Sequence, residues 1–235
     1  MSVGIDFDGA TLRELMDLFA SEVPRERANA ACAIGDRLRA RELDVLGAEE
    51  CGALAQLLED ATKGVRFEAA MALAEAHDRR ATQVLLDSLS SRRVRLDATR
   101  ALGTLGDPAA VEPLARIMDG WLMPWADRLQ AAAALCALGD ARGAQYLVHK
   151  VSSRRSAERA AAVHFVAESR HPEARARLEA LLADPREPLR DVAARSLGLL
   201  EDPATRPALE AALPTAEGDL AEDLREALAR LGRKA

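Results

Sequence analysis

The sequence predicts an all-α fold, a row of antiparallel helix pairs sharing one continuous core. Three observations predict it. Alanine, leucine, arginine and glutamate, all strong helix formers, dominate the 235 residues, while aromatics are limited to two Trp, one Tyr and four Phe. A short block with arginine at its second position recurs along the chain, at Arg27, Arg66, Arg95, Arg128, Arg159 and Arg190. Between the blocks lie helix-stop and helix-start signals, Gly106-Asp107-Pro108, Gly139-Asp140 and Glu201-Asp202-Pro203, with His171-Pro172 as a weaker form.

In chain order, the first unit (residues 1–42) is atypical: Asp6-Phe-Asp-Gly precedes a helix over Thr11–Phe19, and its block begins at Glu26. The central repeats (residues 43–202) carry the clearest copies. These read Val65-Arg-Phe-Glu-Ala-Ala-Met-Ala-Leu-Ala, Val94-Arg-Leu-Asp-Ala-Thr-Arg-Ala-Leu-Gly, Asp127-Arg-Leu-Gln-Ala-Ala-Ala-Ala-Leu-Cys and Leu189-Arg-Asp-Val-Ala-Ala-Arg-Ser-Leu-Gly, with a weaker copy at Glu158. In every block an Ala three residues after the Arg and a Leu, Ile or Val seven after it share one helix face. Small residues at Gly35, Ala74, Gly103, Cys136 and Gly198 come next and let neighbouring helices approach closely. First helices carry their own stripes, as in Ala109–Met118 and Ala174–Ala183. The closing pair (residues 203–235) has Ala221 where arginine is expected and a polar second helix. Terminal units must show one face to water, so both ends read as caps on a single domain of six to seven pairs.

The block Leu-Leu-x-Asp, a short turn, Val-Arg-x-x-Ala-x-x-Ala-Leu-Gly and then Asp-Pro resembles the HEAT-repeat family, in particular its bacterial short repeats. The likeness covers residues 24–202 well and the ends loosely. It implies a right-handed α-solenoid in which an acid before the turn and the arginine after it form a ladder. The matching pairs would be Asp60 with Arg66, Asp87 with Arg95, Asp119 with Arg128, and Asp184 with Arg190; Arg159 has Lys150 in place of the acid. The resemblance further implies a binding module, since relatives grip peptides, helices, small GTPases and their regulators.

Cys32, Cys51 and Cys136 are too few and too widely spaced for a disulfide framework or a paired metal motif. The start Met1-Ser-Val-Gly reads as neither a secretory signal nor a myristoylation site, and no apolar run is long enough to cross a bilayer. A cytoplasmic location is expected. Net charge is −6, divided as −7 over residues 1–60, +4 over 61–171 and −3 over 172–235. That balance argues against nucleic acid as partner. His77, His149, His164 and His171 form no His-Glu dipeptide, so no metal is expected, and no motif calls for a cofactor or a catalytic group.

The most unusual stretch is Asp119-Gly-Trp-Leu-Met-Pro-Trp-Ala-Asp127, an apolar turn holding both tryptophans. The turns before and after it read Ser90-Ser-Arg-Arg93 and Ser152-Ser-Arg-Arg155. Trp and Arg are the residues most enriched at binding hot spots. The expected contact set is therefore Trp121, Leu122, Met123 and Trp125 with Arg92, Arg93, Arg154 and Arg155, facing a protein with an acidic surface. The arginine pairs are expected to begin second helices, and Pro124 to occupy a first helical position. Two alternatives stay open. In a HEAT-like glycosylase for alkylated bases, Trp121, Trp125, Asp127 and Arg128 would take the working roles. A bilin lyase or its chaperone would share the repeat.

Overall fold

The computed structural model describes residues 6, 7, 9–169 and 172–232. Met1–Ile5, His171 and Lys234, on which parts of the sequence reading fell, lie outside them. Fourteen helices and no strand occur among the described residues. They are α1 (Leu12–Asp17), α2 (Pro24–Ala40), α3 (Ala48–Gln56), α4 (Lys63–Glu75), α5 (Thr82–Ser88), α6 (Arg95–Leu105) and α7 (Val111–Asp119). The remainder are α8 (Trp125–Ala137), α9 (Ala141–Lys150), α10 (Ser156–Glu168), α11 (Pro172–Ala183), α12 (Arg190–Leu199), α13 (Arg206–Ala212) and α14 (Gly218–Gly232). Contacts gather them into two compact units, Met1–Pro113 and Leu114–Ala235.

Within each unit the second helices of successive pairs lie side by side. In the first unit α2 packs on α4 and α4 on α6; in the second, α8 packs on α10, α10 on α12 and α12 on α14. The repeated block explains this directly. Ala30, Ala69, Ala98, Ala131, Ala162 and Ala193, each three residues after its arginine, are all 0% exposed. So are Ile34, Leu73, Leu102, Leu135, Val166 and Leu197, each seven after it. Two close approaches need a small residue: a Cβ on Gly35 would meet Ala72 Cα at 3.1 Å, and one on Gly198 would meet Ala227 Cα at 2.8 Å.

Four of the junctions between pairs share one device. A residue in left-handed conformation is followed by an Asp whose side chain caps the next helical turn. Gly106 (φ 73°) precedes Asp107, which accepts from the Ala109 amide at 3.0 Å. Gly139 (φ 79°) precedes Asp140, which accepts from the Arg142 amide at 2.9 Å. Glu201 (φ 50°) precedes Asp202. A fourth copy, His77 (φ 55°) with Asp78, carries no glycine signal and was not expected. His77 is thus a backbone hinge residue on the surface.

The arginine ladder is built differently from the expectation. Arg27 donates from Nη1 to the Ser21 carbonyl (2.6 Å), Arg66 from Nη1 to Asp60 O (2.5 Å), and Arg95 from Nε to Leu89 O (2.7 Å). Arg128 Nε donates to Met118 O (2.8 Å) and Arg190 Nε to Leu182 O (2.9 Å). The common target is therefore the main chain at the end of the preceding first helix or in its turn, where carbonyls have lost their helical partners. The Asp60 carboxylate is taken instead by Arg27 of the preceding unit, at 2.7 and 3.1 Å. Arg66 meets Asp60 through its main-chain carbonyl and not its carboxylate, and the expected side-chain pairing of Asp60 with Arg66 is corrected accordingly. Arg159 reaches forward in the same way, to Glu187 at 3.1 Å. Asp87 accepts from Gln83 within its own helix at 2.8 Å, and Asp184 caps its turn through the Arg186 amide at 2.9 Å. Asp119 is exposed, while Arg128 is held by the Met118 carbonyl.

Candidate functional site

The turn from α7 to α8 is where the second unit departs from ordinary surface chemistry. The Gly120 amide donates to Ile117 O (3.2 Å), and the Met123 amide donates to Gly120 O (3.0 Å). The second bond closes a four-residue turn whose two corner residues are Trp121 and Leu122. They are 83% and 76% exposed, among the largest exposures of any apolar side chain described. The turn is closely packed. Gly120 is tucked so closely that a Cβ there would meet Met123 Cγ at 2.7 Å and Arg116 O at 3.2 Å. Met123 is folded back over Gly120 and is half-buried. Pro124 (φ −52°, ψ 143°) is the N-cap of α8, one place earlier than expected, and its ring fixes the chain as it enters the helix. Trp125 opens α8 and is half-buried. The apolar patch thus divides. Trp121 and Leu122 form a projecting knob, Met123 and Trp125 its base.

The next turn, from α9 to α10, occupies the equivalent place. Short links make α8 antiparallel to α9 and α9 antiparallel to α10, so α8 and α10 run the same way and their N-terminal ends share one edge. Arg154 and Arg155 are exposed there. Arg155 is the N-cap of α10 rather than part of the helix, and Arg92 and Arg93 lie in the turn before α6. The arginines therefore precede the helices they were expected to begin. Arg92 and Arg93 belong to the first unit, and Arg154, Arg155 and the knob to the second.

Beneath the α9–α10 turn lies a polar lock that the sequence did not announce. Glu158, with 5% of its side chain exposed, accepts from Lys150 Nζ at 3.0 Å and from Ser153 Oγ at 2.6 Å. Burial pushes its carboxyl up, but these partners together with Arg155 hold it below the usual carboxylate value. Ser21 Oγ and Glu26 make the same contact at 2.5 Å, so the two weaker copies of the block share a serine five residues before the glutamate. The Lys150 ammonium and the Arg128 guanidinium each lie 5.3 Å from the centre of the Tyr146 ring. Lys150 thereby replaces the expected acid.

The faces formed by the second helices carry charge that the sequence reading passed over. In the first unit Glu75 accepts from Arg39 (2.9 Å) and Arg100 (2.8 Å), tying α2, α4 and α6 together. Beside it, burial and the neighbouring carboxylates push the Cys32 thiol up to about 12, and burial raises Glu68. In the second unit a concavity of about 300 Å³ is walled by His164, Arg195, Asp223, Glu226 and Arg230 over Val192 and Ala227. The legible signal would have been polar residues recurring at helical spacing within the blocks. Among the described residues no group of three or more His, Cys, Asp or Glu is placed to hold a metal, and no helix is long and apolar enough to cross a membrane. Of the candidates for a glycosylase groove, Asp127 is buried and half-buried Arg128 is engaged by Met118 O and the Tyr146 ring.

The paired helices, the repeated arginine contact and the capped junctions define a helical-repeat protein. The class is that of HEAT-repeat proteins: residues 52–121 match the family described as HEAT repeats, and residues 189–213 match the PBS lyase HEAT-like repeat. No curated protein matches the sequence. Among solved structures, the complex of CpcE and CpcF of phycocyanin lyase from Nostoc sp. PCC7120 is similar, at 21% identity with a TM-score of 0.59. That likeness covers 98% of this chain and 97% of that one, and it shows a shared fold. Human deoxyhypusine hydroxylase aligns at 21% identity with a TM-score of 0.45, over 96% of this chain and 86% of that one. A designed armadillo repeat protein bound to the peptide (KR)4 aligns at 17% identity with a TM-score of 0.41, over 94% and 100%.

Proposed function

We propose that this chain is a non-catalytic scaffold or adaptor that binds a protein partner through the Trp121–Leu122 turn. One observation carries the reading: two large apolar side chains, 83% and 76% exposed, stand at the corners of a hydrogen-bonded turn that is closely packed at Gly120. Exposing them to water forgoes roughly 1.5–3 kcal/mol of burial for each. A preformed turn also lowers the ordering cost of association. Met123 packs against Gly120 within the turn, half-buried Trp125 follows at the start of α8, and Arg154 and Arg155 lie along the same edge. Arg92 and Arg93, in the other unit, are left out of this site.

The test is purification of the full chain from its host with a chemical crosslinker, in parallel with Trp121→Ala and Leu122→Ala. A partner retained by the parent and lost from both variants, at unchanged thermal stability, supports the reading. Identical partners for all three proteins overturn it. The likeness to the phycocyanin lyase structure favours a second reading, a bilin lyase subunit or chaperone. Co-expression with a bilin would then give a coloured complex, and a colourless purified chain removes that reading.

A further inference from the structure

The shape and charge of the knob say what kind of surface receives it. Trp121 and Leu122 are neighbours at one turn, so the apolar feature is convex and narrow. A convex feature is desolvated by a cleft, not by a flat face. An aromatic side chain offers roughly 150–250 Å² and leucine somewhat less, so two knobs meeting each other would bury about 800 Å² at most. A stable interface takes about 1,200 Å² or more in total. A second copy could instead offer a socket, but the concavity of the second unit is walled by Arg195, Asp223, Glu226 and Arg230. An indole entering it would strip water from charges without replacing their partners. The receiving surface is therefore sought on a different molecule, and a socket on a second copy, such as the hollow lined by Asp6, Glu14 and Leu18, is left to the sedimentation control below.

Charge narrows the choice further. Arg116 is exposed one turn before the knob on α7, and its carbonyl oxygen is a near neighbour of Gly120. Arg154 and Arg155 are exposed at the adjacent N-terminal end of α10. The N-termini of α8 and α10 point to this edge and add the positive ends of their dipoles. Asp119 is the exposed carboxylate in the knob's own turn. Below the arginines Lys150 and Glu158 form an ion pair whose charges cancel, so that pair adds no net charge to this edge. A dry apolar centre inside a positively charged margin is complementary to an apolar cleft with a carboxylate margin.

We infer that the partner is a protein presenting an apolar cleft rimmed by aspartate and glutamate, into which Trp121 and Leu122 insert while Arg116, Arg154 and Arg155 pair with the rim. This rests on the protein-binding reading above and fixes the chemistry of its partner. The probe is a display library of a small folded domain whose cleft and cleft margin are randomised, selected on the full chain and counter-selected on Trp121→Ala. Recovered binders are expected to combine an apolar cleft floor with an excess of Asp and Glu at its margin. For one purified binder, Trp121→Ala should weaken binding about 30-fold or more. The double variant Arg154→Ser, Arg155→Ser should weaken it about three- to tenfold at low salt, with the difference shrinking at high salt.

Trp121-dependent binders whose cleft margins are neutral or basic, or that are indifferent to the arginine variants, overturn this inference and leave the protein-binding reading standing. The absence of any ligand that distinguishes the parent from Trp121→Ala overturns both. Two control measurements use the chain alone. Trp121-dependent binding to phosphatidylcholine vesicles containing phosphatidylserine, but not to neutral vesicles, would assign the knob to a lipid surface. Trp121-dependent dimerisation in sedimentation would assign it to a second copy. Either result overturns the inference.

Discussion

The α7–α8 and α9–α10 turns stand at the same place in successive pairs of one unit, yet they are fastened by different means. The first is closed by main-chain bonds around Gly120 and displays Trp121 and Leu122. The second is closed from below by a buried glutamate held by Lys150 and Ser153, and it displays Arg154 and Arg155. The helices that follow both turns bury the same residues, Ala131 and Leu135 in one and Ala162 and Val166 in the other. Framework and display are therefore separable. The framework is set by helix faces at fixed spacing from the arginine, while the display is set by whatever fastens each turn.

That separation can be broken most forcefully in the framework. Leu135→Ala removes a fully buried side chain from α8 and should cost about 2–5 kcal/mol, read as a lower denaturant midpoint. The knob should behave in the opposite way. Trp121→Ala should change stability by no more than about 0.5 kcal/mol while costing about 2 kcal/mol or more of partner affinity. A large loss of stability would make Trp121 part of the framework and erase the distinction between the turns.

An intermediate effect is expected at the lock of the α9–α10 turn. Glu158→Gln keeps an acceptor for Ser153 but removes the charge that holds Lys150, and should cost about 1–3 kcal/mol at neutral pH. The turn should also become more sensitive to trypsin at Arg154 and Arg155. The carboxyl of Glu158 is held below its ordinary value of 4.5 in the folded chain. Its contribution is therefore present above pH 4.5 and is lost as pH falls through the lower folded value. The gap between parent and variant should close in acid, as a pH series of thermal melts would show. A gap that persists unchanged would mean that the glutamate acts by shape alone.

The smallest effect sharpens the contrast between junctions. Gly106 and Gly139 adopt their left-handed backbone without strain, while His77 and Glu201 do not. His77→Gly should be nearly neutral or stabilise by up to about 1 kcal/mol, because relief of strain competes with a freer unfolded chain. Gly139→Ala should destabilise, and the gap in stability between the two variants is the observable.

What the sequence made legible follows from distance along the chain. The six alanines and six aliphatic residues of the stack could be found because each sits a fixed number of residues from an arginine on the same helix. The knob could be found because an apolar stretch holding Trp121 and Leu122 at a turn defies ordinary turn chemistry. The contact between Arg27 and Asp60 was hidden because its partners are 33 residues apart, in different units of the repeat. The junction at His77 was hidden because nothing in a histidine announces a positive φ. The faces bearing Glu75 and Asp223 were hidden because polar residues within a helical block look like ordinary solvated surface until neighbouring helices bring them together.

Five of the six repeat arginines donate to carbonyl oxygens of the preceding turn or helix end. Every amino acid supplies that acceptor, so the joint makes no demand on the side chains of the turn it secures. A turn can therefore be rewritten, lengthened or grafted from another repeat without a compensating change in the arginine. Such a joint leaves recognition free to diverge while architecture stays still. It also suggests a practical use for this chain, as a carrier on which new turn sequences could be installed at one position with the neighbouring repeats as internal controls.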